Sequence, residues 1–311
     1  GGPPRAFAMG VLERDLAMDS PLYIRGELEQ PGAIVPRGLV QVLCASKPAP
    51  IAAGSGRREL AEFLASPANP LTARVLVNRV WLHLFGRGLV PSPDNFGTAG
   101  QPPSHPELLD TLAVEFLEQG WSVKRLIRRI VLSRAYGLDS THLARNFEVD
   151  PDNALVWRAS KRRLDAEALR DAILFVSGRL TIEPPVGSTV ARVGEGLAMF
   201  LRVAGTDALD THRSVYLPVV RDQVLESLAL FDFADPSLVT GQRGSATGPA
   251  QALYFLNGPI PIRHAEELAE RLRDARGDAE RIQLAYRLAL ARPPTRSEVD
   301  RALEFLRAFA A

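Results

Sequence analysis

Two periods of apolar residues run along this chain, and the helical one dominates. As far as Pro50 the chain is rich in Pro and Gly and holds only short β-prone runs. Leu22–Arg25 and Gly38–Leu43 read as strands, with Gln30–Gly32 as a turn between them. Helical spacing then takes over, with its own punctuation. Arg57–Ala65 is a short helix ended by Pro67. Asn69-Pro70 opens a second, because proline suits a first turn whose N–H groups have no intrahelical partner. It runs to about Phe85 and stops at Gly86 and Gly88. Ser104 and Glu107 have capping-box spacing ahead of Leu108–Leu117. Gly120 closes that helix, and Ser122 opens the next, to about Ala135.

Asp165–Ser177 is a further helix, ending at Gly178. From Glu183 to Asp210 the chain is Gly-rich and without clear periodicity. Ser214–Val220 has apolar Val215, Leu217 and Val219 on one face, with Pro218 marking an edge or bulge, and reads as a strand. The tail is helical: Ala250–Leu256, Ala265–Arg276, a helix from Asp278, and a last one behind the capping box Thr295/Glu298. The pattern predicts a mainly α fold, an irregular multi-helix domain with a few short strands near the N-terminus and around residues 214–220. Residues 1–50 form a β-prone segment expected to end a larger domain. Residues 51–245 form a helical core with a short strand, and 246–311 form helices packed on it.

Composition narrows the function classes. The formal net charge is +1, which argues against a general nucleic-acid binder, since such proteins need a basic field to displace counterions. Cys44 is the only cysteine, so this stretch carries no internal disulfide, no Cys-rich zinc site and no C-x-x-C-H haem attachment. No apolar run is long enough to span a bilayer. The chain opens at Gly1 without Met, and the expectation is a piece of a longer protein.

Candidate chemistry is sparse. Gly194-Glu195-Gly196 lacks the third glycine of a dinucleotide loop, and Gly54-Ser55-Gly56 lacks nucleophile-elbow spacing. His83, His105, His142, His212 and His264 are scattered and form no H-E-x-x-H. Asp207, Asp210 and His212 have ligand-like spacing on a loop, but no fourth protein ligand lies near, and no metal is assigned. Lys124, Arg125, Arg128 and Arg129 repeat at helical spacing opposite Leu126, Ile127, Ile130 and Val131, as on a solvated helix face. On the 70–85 helix, Thr72, Arg79 and His83 share a wet face. Arg74 and Asn78 fall opposite, among Leu71, Trp81, Leu82 and Phe85. An inward guanidinium requires a partner, and the expected acid is Asp165 first and Asp171 second. His105 stands at a helix start, where it is either a polar cap neighbour or a group held for binding. The candidate binding residues are Arg74, Asn78, His83, His105, Asp165, Arg213, Tyr216 and Arg221, with no catalytic residue assigned.

The run NPLTARVLVNRVWLHLFGRGLV from Asn69 to Val90, followed by PSHPELLDTLAVEFLEQGWSVKRLIRRIVLSRAY to Tyr136, resembles planctomycete-specific domain one. The resemblance continues in order through Arg162–Ala172, Arg213–Asp222, Phe231–Ser237, Thr247–Asn257 and Tyr286–Thr295. The chain departs from that family's pattern where Ser20-Pro21-Leu22 stands in place of a usual His, where Leu82 or Leu84 stands in place of a second, and where Asp222 replaces Asn. The resemblance implies an extracytoplasmic module, periplasmic or at the cell surface, following cytochrome c-like domains in a large exported protein. It implies haem c on those upstream domains and no cofactor here. The expected function is an accessory or interaction module whose partners are the upstream domains. The rivals are a hydrolase acting on extracellular glycans and a redox partner domain packing on haem.

Overall fold

The computed structural model describes residues 11–13, 16–187, 210–219, 224–244 and 246–310. The chain is mainly helical, as the periodicity predicts, with eleven α-helices and one two-stranded sheet among the described residues. It divides into two compact units, residues 1–161 and 162–311.

The first unit begins with an antiparallel hairpin, β1 (Ser20–Tyr23) and β2 (Pro31–Val35), which pairs Ser20 with Val35 and Pro21 with Ile34. The expected turn at Gln30–Gly32 is instead the start of β2. Proline is tolerated at the first residue of a strand, so Pro31 opens pairing rather than preventing it. The reversal falls at Ile24–Gln30, where Ile24 N–H donates to the Gln30 carbonyl and Arg25 takes a left-handed φ of 56°. No strand forms over Gly38–Leu43. Pro36 ends the pairing and Gln41–Leu43 is a single 3-10 turn.

Helices α1 (Arg57–Leu64), α2 (Thr72–Phe85), α3 (Pro106–Glu118), α4 (Val123–Val131) and the short α5 (Ala144–Val149) complete the unit. Asn69 starts α2: its side-chain oxygen accepts from the Leu71 and Thr72 N–H groups at 2.9 and 3.1 Å, two donors the first turn cannot satisfy itself. Gly86 ends it in the left-handed region at φ 85°, its N–H returned to the Leu82 carbonyl. Ser122 caps α4 as expected, accepting from Arg125 N–H. The capping box at Ser104/Glu107 does not form. The cap position is His105, so Pro106 is the first helical residue and the Ser–Glu spacing is one residue out of register. Ser104 Oγ lies 3.3 Å from the Leu89 carbonyl and 3.0 Å from His105 Nδ1.

α2, α3 and α4 bury one core of Val77, Trp81, Leu89, Val90, Leu109, Leu112, Phe116, Leu126 and Ile130. Burying a side chain such as Phe116 stabilises by about 1.5–3 kcal/mol. Aromatic edges order it further: Trp81 stacks on Phe85 at 4.1 Å, and Phe116 meets Trp121 edge-on at 5.3 Å.

The second unit is organised around α6 (Ala166–Ser177), which contacts α7 (Glu226–Leu230), α9 (Pro259–Arg271) and α10 (Asp278–Leu290). α8 (Pro249–Asn257) leads into α9 through Gly258, and α10 pairs with α11 (Arg296–Ala310). α9 begins six residues before the expected Ala265, since prolines 259 and 261 both fall in the first turn, where no N–H is needed. The Thr295/Glu298 capping box forms: Thr295 N–H donates to Glu298 Oε2 at 2.7 Å and Glu298 N–H points back to Thr295 Oγ1 at 3.4 Å.

No strand forms over the described part of 214–220. Asp171 accepts the Ser214 N–H and hydroxyl, both at 2.7 Å, and Pro218 has no donor to offer. Ser214–Tyr216 is therefore a 3-10 turn, and the only strand-like contact described nearby is an isolated parallel bridge between Thr181 and His212.

The buried cluster around α6 and α7 is small, Ala166, Leu228 and Phe231, with Leu174, Leu217 and Ile282 buried elsewhere in the unit, and arginines supplement it. Arg163 donates to the Phe231 and Ala246 carbonyls, to Gln251 and to Asp232. Arg243 pairs with Glu167 at 2.6 Å and lies over the Phe233 ring.

Candidate functional site

The expected residues do not converge. Arg74 is paired, but with Asp110 of α3 rather than with Asp165 or Asp171. Its Nε donates to Asp110 Oδ1 at 2.6 Å and another nitrogen donates to the Pro70 carbonyl at 2.7 Å. The side chain is 38% exposed, and Asp110 is 53% exposed. The bond to Arg74 holds the Asp110 carboxyl below its ordinary range. The helical wheel placed Arg74 near the core, but the long side chain reaches out along α3 to water.

Asn78 is fully buried. Its amide nitrogen donates to the Val90 carbonyl at 3.0 Å, and its oxygen accepts the Val90 N–H at 2.8 Å, so it pins the segment after α2 to the helix. His83 is exposed on the wet face of α2, with Arg79. His105 sits at the α3 cap beside Ser104.

The other four candidates belong to the second unit. Asp165 is exposed at the α6 cap position and makes no side-chain cap bond. Arg213 is exposed, with Nε 3.6 Å from Asp171, and Tyr216 is half-buried in the 3-10 turn. Arg221, Asp207, Asp222 and the Gly194–Gly196 turn lie outside the described residues. Asp210 and His212 do meet: His212 Nδ1 lies 2.6 Å from Asp210 Oδ1, and the His212 N–H donates to the same oxygen at 2.7 Å. Burial pushes the Asp210 carboxyl up, but the His212 bonds and the nearby Arg170 charge together hold it below its usual value. Among the described residues no group of three His, Cys, Asp or Glu is placed to hold a metal ion.

Among the described residues a concave site stands out in each unit. In the second, α6, α7, α8 and α9 enclose about 470 Å³ of empty space, part of it open to solvent. Leu169, Ile173, Leu228, Phe231 and Ile260 form its apolar wall, and Arg170, Ser227, Tyr254 and His264 its polar groups. Desolvation pushes the Tyr254 phenol above its ordinary value, against a bond with Ser227, so the hydroxyl stays neutral. His264 is turned by Glu267, whose Oε2 is 2.7 Å from Nδ1. Arg170 ties α6 to the 210–214 loop through the Asp210 and His212 carbonyls and Ser214 Oγ.

In the first unit a smaller, more polar cavity of about 340 Å³ lies between the end of α2 and the loop after α5. Trp81, Phe85, Leu89 and Val156 line its apolar side, and Arg87, Ser104, Asp152 and Ser160 its polar side. The 150–160 loop is firmly held. Asp150 accepts the Ala154 and Leu155 N–H groups at 2.9 and 2.8 Å, Trp157 Nε1 donates to the Asp150 carbonyl, and Asn153 bonds Arg158 and Ser160. Within it Asn153 and Val156 take left-handed φ of 54° and 55°. Asparagine tolerates that region. A β-branched valine there costs about 1–3 kcal/mol, which the surrounding bonds must sustain.

Residues 56–306 match the family model of PSD1, a protein of unknown function (DUF1553). The chain belongs to the PSD1 family. The PSD1 match begins at Gly56, the left-handed residue ahead of α1, and so takes in both cavities and leaves the β1–β2 hairpin outside. No curated protein and no solved structure matches the chain. No helix among the described residues is long and apolar enough to cross a membrane.

Sequence reasoning missed Arg87, Asp152 and Arg163. Arg87 and Arg163 lie inside runs that carry the family resemblance, but no catalytic or ligand-binding motif marks any of the three as a site residue. Only Arg163 had a signal, its place directly before the apolar face of α6.

Proposed function

We propose that the chain is an interaction module of a larger exported protein with an upstream cytochrome c-like domain, and that its β1–β2 hairpin docks onto that neighbour. One observation carries the reading: the hairpin and the segment behind it expose apolar side chains among the described residues. Leu22 is 63% exposed, Ile34 71%, Val40 61% and Val42 86%. Exposed large apolar side chains gathered on so short a segment are costly in water, and such groups mark interaction sites. A two-stranded hairpin is also marginal alone and needs a further strand or a packing partner. The position of the hairpin outside the PSD1 match supports assigning it to a junction. The segment is anchored at its other end, since Arg37 Nε bonds Asp19 at 2.8 Å and Ser55 N–H donates to Glu13 at 2.7 Å.

The test is hydrogen exchange on the intact parent protein and on this chain alone. Amides of residues 20–43 are expected to exchange more slowly in the parent, and Leu22→Glu with Ile34→Glu to abolish the difference. Equal exchange in both refutes docking. Recovery of the parent in the cytoplasmic fraction, or a parent without a haem absorption band, refutes the cellular part of the reading.

A further inference from the structure

We propose that the cavity of the first unit binds a small zwitterion, an α-amino acid with an apolar side chain. The proposal stands apart from the docking reading. Its first ground is charge. Arg87, just beyond α2, and Asp152, beyond α5, line the same cavity from separate segments. Among the described residues neither forms a hydrogen bond or ion pair, with each other or with any third group. Two opposite charges that share a cavity and do not neutralise one another call for a ligand carrying both complements. A guanidinium accepts a carboxylate in a two-bond fork, and a carboxylate accepts an ammonium group.

The second ground is the wall between them. Trp81 and Phe85, stacked on each other, with Val156 beside them, offer a surface for an apolar side chain, not for a third charge. The third is preorganisation. The loop carrying Asp152 is held by the paired bonds of Asp150 and Asn153, and keeps Asn153 and Val156 in left-handed conformations. Strain retained in a rigid loop that faces a cavity is characteristic of binding sites. Asp152 is exposed and Arg87 half-buried, and a neutral sugar offers neither of them a counter-charge, so it fits less well. A metal ion would find only one carboxylate among the lining residues.

Titration calorimetry on the whole chain tests this with L-leucine, L-leucinamide, N-acetyl-L-leucine and D-glucose. L-Leucine is expected to bind, and each blocked form, lacking one charge, to bind at least ten-fold more weakly. Arg87→Ala is expected to weaken L-leucine ten-fold or more and to abolish discrimination against L-leucinamide, which lacks the carboxylate. Asp152→Asn does the same for N-acetyl-L-leucine. Both residues lack structural partners, so circular dichroism and the melting temperature stay unchanged. No heat with millimolar L-leucine overturns the proposal. So does glucose binding in its place, or L-leucine binding that neither variant alters.

Discussion

Asn78→Ala removes a side chain that is wholly enclosed and makes both of its bonds to one residue. Val90 is itself only 2% exposed, so its N–H and carbonyl would lose their partners without gaining water. An unmet buried backbone group costs about 1–3 kcal/mol. Two of them, with the packing lost, give an expected destabilisation of about 3–5 kcal/mol. A β-carbon at Gly88 would already lie within 2.8–2.9 Å of the Asn78 side chain, so the site is packed tightly and the neighbouring backbone has no slack to close the gap.

The assay is urea unfolding followed by tryptophan fluorescence. All three tryptophans, Trp81, Trp121 and Trp157, lie in the first unit, so the signal reports that unit alone. With a slope of about 2 kcal/mol per molar urea, the midpoint should fall by roughly 1.5–2.5 M. Asn78→Asp gives a control with a sign. Its carboxylate keeps the acceptor for Val90 N–H but faces the Val90 carbonyl. Burial raises its folded pKa, so this variant is most stable in acid, where the protonated group can donate. It weakens as pH rises from the ordinary aspartate value to the folded one. A loss below about 1 kcal/mol for Asn78→Ala would falsify the claim that Val90 depends on this side chain.

Arg74→Ala should cost about 1 kcal/mol or less by the same assay, because its ion pair with Asp110 is well solvated; a loss of 3 kcal/mol would mean the guanidinium is buried after all. Ala291→Gly should raise the melting temperature of the second unit, with a gain of about 0.5–1 kcal/mol, since Ala291 ends α10 at φ 52° and is exposed; a lower melting temperature counts against the left-handed cap. Glu298 is held down to about 2, first by Arg292 and then by the Thr295 backbone N–H. Its folded pKa is depressed, so the stability it brings is present above the ordinary value near 4.5 and is lost as pH falls toward 2. Glu298→Gln should flatten that part of the acid unfolding curve measured by circular dichroism, and an unaltered curve would exclude the cap as its source.

The helices were legible where local chemistry ends them. Asn69, Gly86, Ser122, Gly178 and the Thr295/Glu298 pair each act within one turn, and each is found at a helix end. The hairpin was half legible. Pro31 looked like a turn residue because its tolerance at a strand's first position depends on which side of the strand is paired. The side-chain partners were not legible. A wheel gives the azimuth of Arg74 but not the path of its long side chain, and Asp110 looked like any polar residue early in a helix. The strain at Val156 left no trace either. Valine favours extended backbone, and only the bonds of Asp150 and Asn153 force it elsewhere.

Arg163 has a consequence for the order in which the chain is made. It precedes α6, yet its acceptors lie 68 residues on at Phe231, 83 at Ala246 and 88 at Gln251. A chain leaving the ribosome presents α6 long before any of them. Until residues 231–251 emerge, the Arg163 guanidinium lacks these acceptors, and Ala166 lacks the Leu228 and Phe231 it packs against. The first unit carries its own core within residues 73–130 and can close early. Synthesis therefore imposes a sequence on folding: the first unit is complete while the second waits, with the α6 apolar face bare through the interval. Such a face is where a chaperone would hold the nascent chain, and a pause in translation between residues 178 and 251 would prolong that hold.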